Sequence, residues 1–83
     1  MDYRKIYMSI ILRAIAEKEQ RLFNKRNGVY YENHHIIPRS LNGSNLSKNL
    51  VLLTGKEHFI CHWLLVNYAR PKGRELVRLP QFP

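Results

Sequence analysis

The sequence predicts an α+β fold: a β-hairpin followed by a helix, with a further helix from the N-terminal side packed on them. Three patterns carry that prediction. Apolar residues recur at spacings of three and four near the N-terminus, and two short apolar runs flank a loop rich in Asn, Ser and Gly. A T-x-x-E signature then opens a second helical stretch, which carries two of the four histidines.

Asp2 is placed to cap the first helix, whose apolar positions Tyr3, Ile6, Tyr7, Ile10, Ile11, Ala14 and Ile15 share a face, with Arg4, Lys5, Arg13, Glu17 and Arg21 turned outward. This helix is expected to run to about Phe23. Asn27-Gly28 signals a turn, and Val29-Tyr30-Tyr31 has the β-branched and aromatic content of a strand leading into His34 and His35, ended by Pro38. Residues 38–48, PRSLNGSNLSK, read as a loop, and Asn49 to Leu53 as the second strand. Thr54 and Glu57 form a capping box for a helix through about Tyr68, stopped by Pro71 and Gly73. Three segments result: an N-terminal helix and turn over 1–27, a hairpin-and-helix core over 28–68, and a basic tail over 69–83 that lacks periodicity and reads as irregular.

At 83 residues the chain is one domain, and a chain this short buries about two-thirds or less of the surface its unfolded form exposes. Marginal stability follows, and a bound metal would add several kcal/mol because its ligands are gathered only in the folded state. Fourteen Lys and Arg against six Asp and Glu give a formal charge of +8. The pI is near 10.1, which points to a polyanionic partner; taken alone, the charge also fits a ribosomal protein or a membrane-surface binder. The single cysteine, Cys61, cannot close an internal disulfide, and no run reaches the ~18 apolar residues of a membrane span. IYMSIILRAIA carries Arg13 and lacks a small-residue cleavage site, so it is not a signal peptide, and the expected location is cytoplasmic.

All four histidines fall in two close pairs, His34-His35 and His58-His62. Imidazole is the commonest nitrogen ligand for a transition metal and also exchanges protons near neutrality. A spacing of four puts His58 and His62 one turn apart on one helix face, close enough to share an ion. Neighbouring strand residues point to opposite faces, so one of His34 and His35 is a ligand and the other is free. Three histidines leave a tetrahedral ion with an open position, as in catalytic rather than structural sites.

The runs ENHHIIP and EHFICH, with the Asn49 that opens NLVLL between them, resemble the HNH endonucleases over roughly residues 28 to 68. YYENHHIIPRSL and LTGKEHFICHWLL are most similar to phage-encoded members, including free-standing homing endonucleases. The resemblance implies the ββα-metal (His-Me finger) fold, a hairpin and helix around one divalent ion. It implies that His34, His58 and His62 hold the metal, that His35 is the general base, and that Asn49 braces the loop orienting His35. It further implies hydrolysis of double-stranded DNA to 5′-phosphate and 3′-hydroxyl ends, in the host cell cytoplasm for a phage-encoded chain. Many members carry Asp at the position of His34 and use Mg²⁺; imidazole there favours Zn²⁺, Mn²⁺ or Ni²⁺, since nitrogen-rich sites suit borderline metals. Phage homing members continue past this helix into further DNA-binding helices, whereas about fifteen residues follow Tyr68 here, so tight site recognition is not implied.

Around this constellation, Arg39 is a candidate contact to the scissile or an adjacent phosphate, against a solvated loop residue. Lys48 and Lys56 are candidates for backbone phosphates. Glu32, two before His34 on the same strand face, is a candidate outer carboxylate fixing a histidine tautomer, or else a partner for an arginine. Cys61 points about 100° round the helix from His62 and reads as packed, not as a fourth ligand. Phe59, Ile60, Trp63, Leu64 and Val66 read as core. Two other functions fit the same residues: a non-catalytic zinc-binding DNA module, which would need a fourth protein ligand and no His35, and a toxin-type nuclease cutting without site preference.

Overall fold

The computed structural model describes residues 2–68, 71–72 and 75–76. Its elements are α1 (Tyr3–Ala16), α2 (Lys18–Arg26), β1 (Glu32–His35), β2 (Leu50–Leu53), α3 (Gly55–Tyr68), β3 (Pro71–Lys72) and β4 (Glu75–Leu76). The α+β class is as expected, with β1 and β2 antiparallel and α1 packed against α3.

α1 begins where the sequence places it, the Asp2 carboxylate accepting from the Lys5 amide at 3.0 Å. Its buried face is narrower than the periodicity suggests. Tyr7, Ile11 and Ala14 enter the core, while Ile6 and Ile15 lie at the surface. The expected single helix to Phe23 is instead two, separated at Glu17 (φ −96°, ψ 14°), and the second runs on to Arg26. Neither proline nor glycine marks the break.

Arg21, expected to face outward, is 5% exposed. Its guanidinium donates to the Leu52 carbonyl at 2.9 Å, to both oxygens of Glu57 at 2.6 and 3.1 Å, and to Glu17 at 3.1 and 3.2 Å. A five-donor group can be buried when its donors find acceptors, as here. One side chain thus ties α2 to β2 and to the first turn of α3. Glu57 closes the expected capping box at the same time, accepting from the Thr54 amide at 2.9 Å while the Thr54 hydroxyl accepts from the Glu57 amide at 3.1 Å.

The first strand starts later than Val29. The Val29 amide donates to Asn24 O at 3.0 Å, closing the end of α2 instead of joining a ladder, and the strand begins at Glu32 opposite Leu53. β2 begins at Leu50 and not at Asn49, which belongs to a short 3₁₀ turn. The core gathers Tyr7, Ile11, Ala14, Ile36, Val51, Leu53, Cys61, Leu64 and Leu65. Phe59, Ile60, Trp63, Leu64 and Val66 were all expected to be core, but Phe59 is 74% and Trp63 49% exposed, and Val66 also faces solvent. A helix covered by one hairpin and one helix buries only the stripe between them, with Trp63 leaning edge-on against Tyr3 at 5.5 Å.

Beyond α3, Pro71 pairs with Leu76 and Lys72 with Glu75 in a short antiparallel ladder, where an irregular tail was expected. Two-residue strands are too short to show a period in sequence. The remaining tail positions lie outside the described residues. No described helix is long and apolar enough to cross a membrane.

The Arg21–Glu57 contact makes stability depend on pH. Hydrogen bonding from Arg21 holds the Glu57 carboxyl below its usual range. Its contribution is therefore fully present above the unfolded value of about 4.3 and is lost as pH falls through the lower folded value. Glu57→Ala should cost about 3 kcal/mol at neutral pH, the low end for breaking a buried pair, because Glu17 and Leu52 remain as partners. Urea titrations should show that loss, and Glu57→Gln should flatten the acid slope.

Candidate metal centre

Strand alternation sorts the first histidine pair. His34 faces the core side of the hairpin opposite Val51 and is 2% exposed, while the next residue, His35, opposite Leu50, is half-buried. Across from His34, α3 presents His58 and His62 one turn apart. Each of His34, His58 and His62 offers one nitrogen, all within 4.8 Å of one another. The His58 and His62 Nε2 atoms are 3.0 Å apart. Two nitrogens bound to one zinc ion at about 2.0–2.1 Å and a tetrahedral angle lie about 3.3 Å apart, so the α3 pair fits a shared ion with almost no movement. Cys61 is buried, its thiol pushed up to about 12 by burial, and it is not part of the cluster.

Charge within the cluster suits cation binding. Burial, helped by the neighbouring imidazoles, lowers His34 to about 3, so it is neutral at any physiological pH and its lone pair is available. Burial and then His58 lower His62. Glu32, on the same face of β1 as His34, accepts from His58 Nδ1 at 2.8 Å and from the Tyr30 hydroxyl at 2.5 Å. Tyr30 first and His58 second hold its carboxyl low. A carboxylate on Nδ1 sets the His58 tautomer with Nε2 directed at His62, the arrangement that orients a ligating imidazole. Glu32 thus stands against the outer nitrogen of His58, and among the described residues no arginine contacts it.

Beneath these groups, a loop of unusual length joins the strands, and Asn49 holds it. Its Oδ1 accepts from the Ile37 amide at 2.9 Å, and its Nδ2 donates to Ile37 O at 3.1 Å and Ser44 O at 2.7 Å. Its own carbonyl takes the Ile36 amide at 2.9 Å. The chain crosses itself at Gly43, where a Cβ would stand 1.6 Å from Ile37 O, so no larger residue is compatible with this path. On this scaffold Asn45 Oδ1 lies 2.8 Å from His35 Nε2.

His34, His35, His58, His62 and Arg39 line one cleft of about 580 Å³, with Pro38, Leu41 and Leu65 among its walls. Lys48 does not line it. It borders a second groove with Leu12, Ile15 and Leu50. Lys56 is exposed in the first turn of α3. Two polar partners escaped sequence reasoning. Asn45 sits in a loop with Asn42 and Asn49, where nothing in composition separates one asparagine from another. Tyr7 reads as one more apolar-face position, yet its hydroxyl meets His34 Nε2 at 2.8 Å; a tyrosine in a buried line was the available signal, because its hydroxyl needs a partner there.

In sequence the chain is similar to Probable mobile endonuclease D of Enterobacteria phage T4, with 44% identity over 73 residues that make up 86% of this chain and 27% of that protein. Probable mobile endonuclease E of the same phage is 46% identical over 65 residues, 78% of this chain and 41% of its own length. Probable mobile endonuclease B is 41% identical over 81 residues, 95% of this chain and 29% of that protein. The chain thus spans about a quarter to two-fifths of the length of these relatives, and its resemblance to phage-encoded endonucleases is borne out. No family model matches it, and no solved structure does.

Because Asn49 joins three backbone groups in a buried place, Asn49→Leu should destabilise the protein by about 2–3 kcal/mol, at roughly 1 kcal/mol for each hydrogen bond lost. Thermal unfolding followed by circular dichroism measures it. A loss below about 0.5 kcal/mol would show that the loop keeps its path unaided.

Proposed function

We propose that this chain is the nuclease core of a phage-type mobile endonuclease, a ββα-metal (HNH) unit that hydrolyses phosphodiester bonds of double-stranded DNA with one divalent ion. The observation that carries the reading is the convergence in one cleft of three nitrogens within 4.8 Å and a further imidazole, His35, that is not one of them. The T4 relatives' names support an endonuclease, and the +8 charge supports a polyanionic substrate.

In this reading His34, His58 and His62 would hold Zn²⁺, Mn²⁺, Ni²⁺ or Mg²⁺, the nitrogen donors favouring the first three. A bound divalent ion supplies Lewis-acid stabilisation of charge building on the phosphate. His35 takes a proton from a water molecule, whose oxygen attacks phosphorus in line as the P–O3′ bond breaks and the departing 3′-oxygen takes a proton from solvent. The ends left are a 5′-phosphate and a 3′-hydroxyl. Asn49 keeps β1 and its loop in register beneath His35, and Glu32 holds the His58 ring. Arg39, exposed at the cleft wall, pairs with the scissile or adjacent phosphate, whereas Lys48 and Lys56 meet the backbone further away. A non-catalytic zinc module would need a fourth protein ligand, and the described residues supply three.

Supercoiled plasmid incubated with the protein should be nicked or linearised with added Mn²⁺, Zn²⁺ or Mg²⁺ and left intact in EDTA. His35→Ala should keep metal affinity and lose cleavage by about a hundredfold or more, while His58→Ala should lose both. Equal loss of metal binding in the two variants, read by calorimetry, would reverse the roles of base and ligand.

With EDTA the protein should still bind duplex DNA, with little sequence preference. Affinity should fall roughly a thousandfold between about 50 and 200 mM salt when six or more phosphates are contacted. Salt-insensitive binding to one particular duplex would mean that this short chain reads bases directly.

A further inference from the structure

We infer that Tyr7, on α1 and outside the hairpin-and-helix unit, is a positioning residue for His34: it fixes the ring with its proton on Nε2, so that His34 joins an ion through Nδ1. The second half rests on the metal reading above. The first half, the tautomer, stands without it.

A tyrosine hydroxyl has one hydrogen to give. Tyr7 gives it to the Ile36 carbonyl at 2.6 Å. Toward His34 Nε2, at 2.8 Å, the same oxygen has only a lone pair to offer, so Nε2 must be the donor of that bond. A neutral imidazole protonated on Nε2 carries its lone pair on Nδ1. Both rings are shut from solvent, Tyr7 at 0% and His34 at 2% exposed, so water does not compete for either bond. Ile36 lies two residues after His34 on the chain, and the one hydroxyl therefore holds the ring and the adjoining backbone together.

Packing alone does not call for this hydroxyl. In the buried line Tyr7, Ile11 and Ala14, phenylalanine would fill the same volume without a polar group needing a partner. The centre is thereby asymmetric. His58 is held at Nδ1 by Glu32 and presents Nε2, whereas His34 is held at Nε2 by Tyr7 and presents Nδ1. One outer partner comes from β1 and the other from the N-terminal helix, so α1 belongs to the centre and is more than a lid on the core.

Two measurements test this. In ¹⁵N-labelled, metal-free protein in mildly alkaline buffer, long-range ¹H–¹⁵N correlations should show His34 with its proton on Nε2, and Tyr7→Phe should remove that preference. Zinc affinity, measured by competition with a chromophoric chelator, should fall about 10–100-fold in Tyr7→Phe, as when an outer partner of a ligating histidine is lost. Ile11→Val thins the same buried line without touching His34, and should bind zinc within about twofold of the parent despite some loss of stability. A parent His34 protonated on Nδ1 overturns the inference, as does equal weakening of zinc binding by the two variants. A parent protein that binds no divalent ion would bring down the metal reading alone, because the tautomer is read without metal.

Discussion

The register of a two-stranded hairpin is the constraint on which the rest of the molecule depends. With His34 opposite Val51, one imidazole of the adjacent pair enters the core side and the other stays half-buried at the cleft wall. A slip of one residue would exchange them, because side chains alternate faces along a strand. Tight turns fix register in most hairpins, but here a long loop joins the strands and cannot do so by turn geometry. The work falls instead to Asn49, which binds both Ile37 backbone groups and Ser44 O, and to the self-crossing that only Gly43 permits. Burial of Val51 and Leu53 on the same face supplies the apolar share of the same preference.

Register alone does not bring α3 into position. The rotation of that helix decides whether His58 and His62 look at His34 or at solvent, and its first turn is held from two sides. Thr54 and Glu57 cap it, and Arg21 grips Glu57 while also binding Leu52 O on β2. The apolar stripe of Cys61, Leu64 and Leu65 then sets the remaining face. A buried guanidinium is costly unless its donors are met, and acceptors from three residues make Arg21 a fastening that tolerates little displacement. The break at Glu17 falls one turn before Arg21, and Glu17 itself accepts from the guanidinium that reaches the strand and the helix end.

Much of this was legible in the sequence, and what was missed shares a cause. The capping box, the Asp2 cap, the alternation of His34 and His35, and the i,i+4 histidines are local patterns, with consequences that follow from helix and strand geometry alone. Arg21 was misread because a charged side chain ordinarily faces solvent, and the acceptors that draw it inward, Leu52 O and Glu57, lie 31 and 36 positions away on other elements. Phe59 and Trp63 were misread because hydropathy says what a side chain prefers, and the number of elements packed on a helix decides how many such preferences are met. The late start of β1 turns on a single amide, Val29 bonding Asn24 O, which no propensity scale contains. Asn45 is in the same class: its distance to His35 exists only once Asn49 and Gly43 have folded the loop.

The polar groups in the core are there for a reason that packing does not give. A chain of 83 residues has little apolar burial to spare, yet it places a tyrosine hydroxyl, a histidine and an asparagine where aliphatic side chains would be less costly. Each is met by hydrogen bonds, which limits the penalty without making the arrangement more stable than an apolar one. Such a set persists when its geometry is needed for something other than stability. Here the buried histidine is kept uncharged beside two further imidazoles, the condition under which nitrogens repel each other least as protons and bind a cation best. A cation held there would return stability to the fold that positions it, so the polar core and the thin apolar core are parts of one solution for a domain this small.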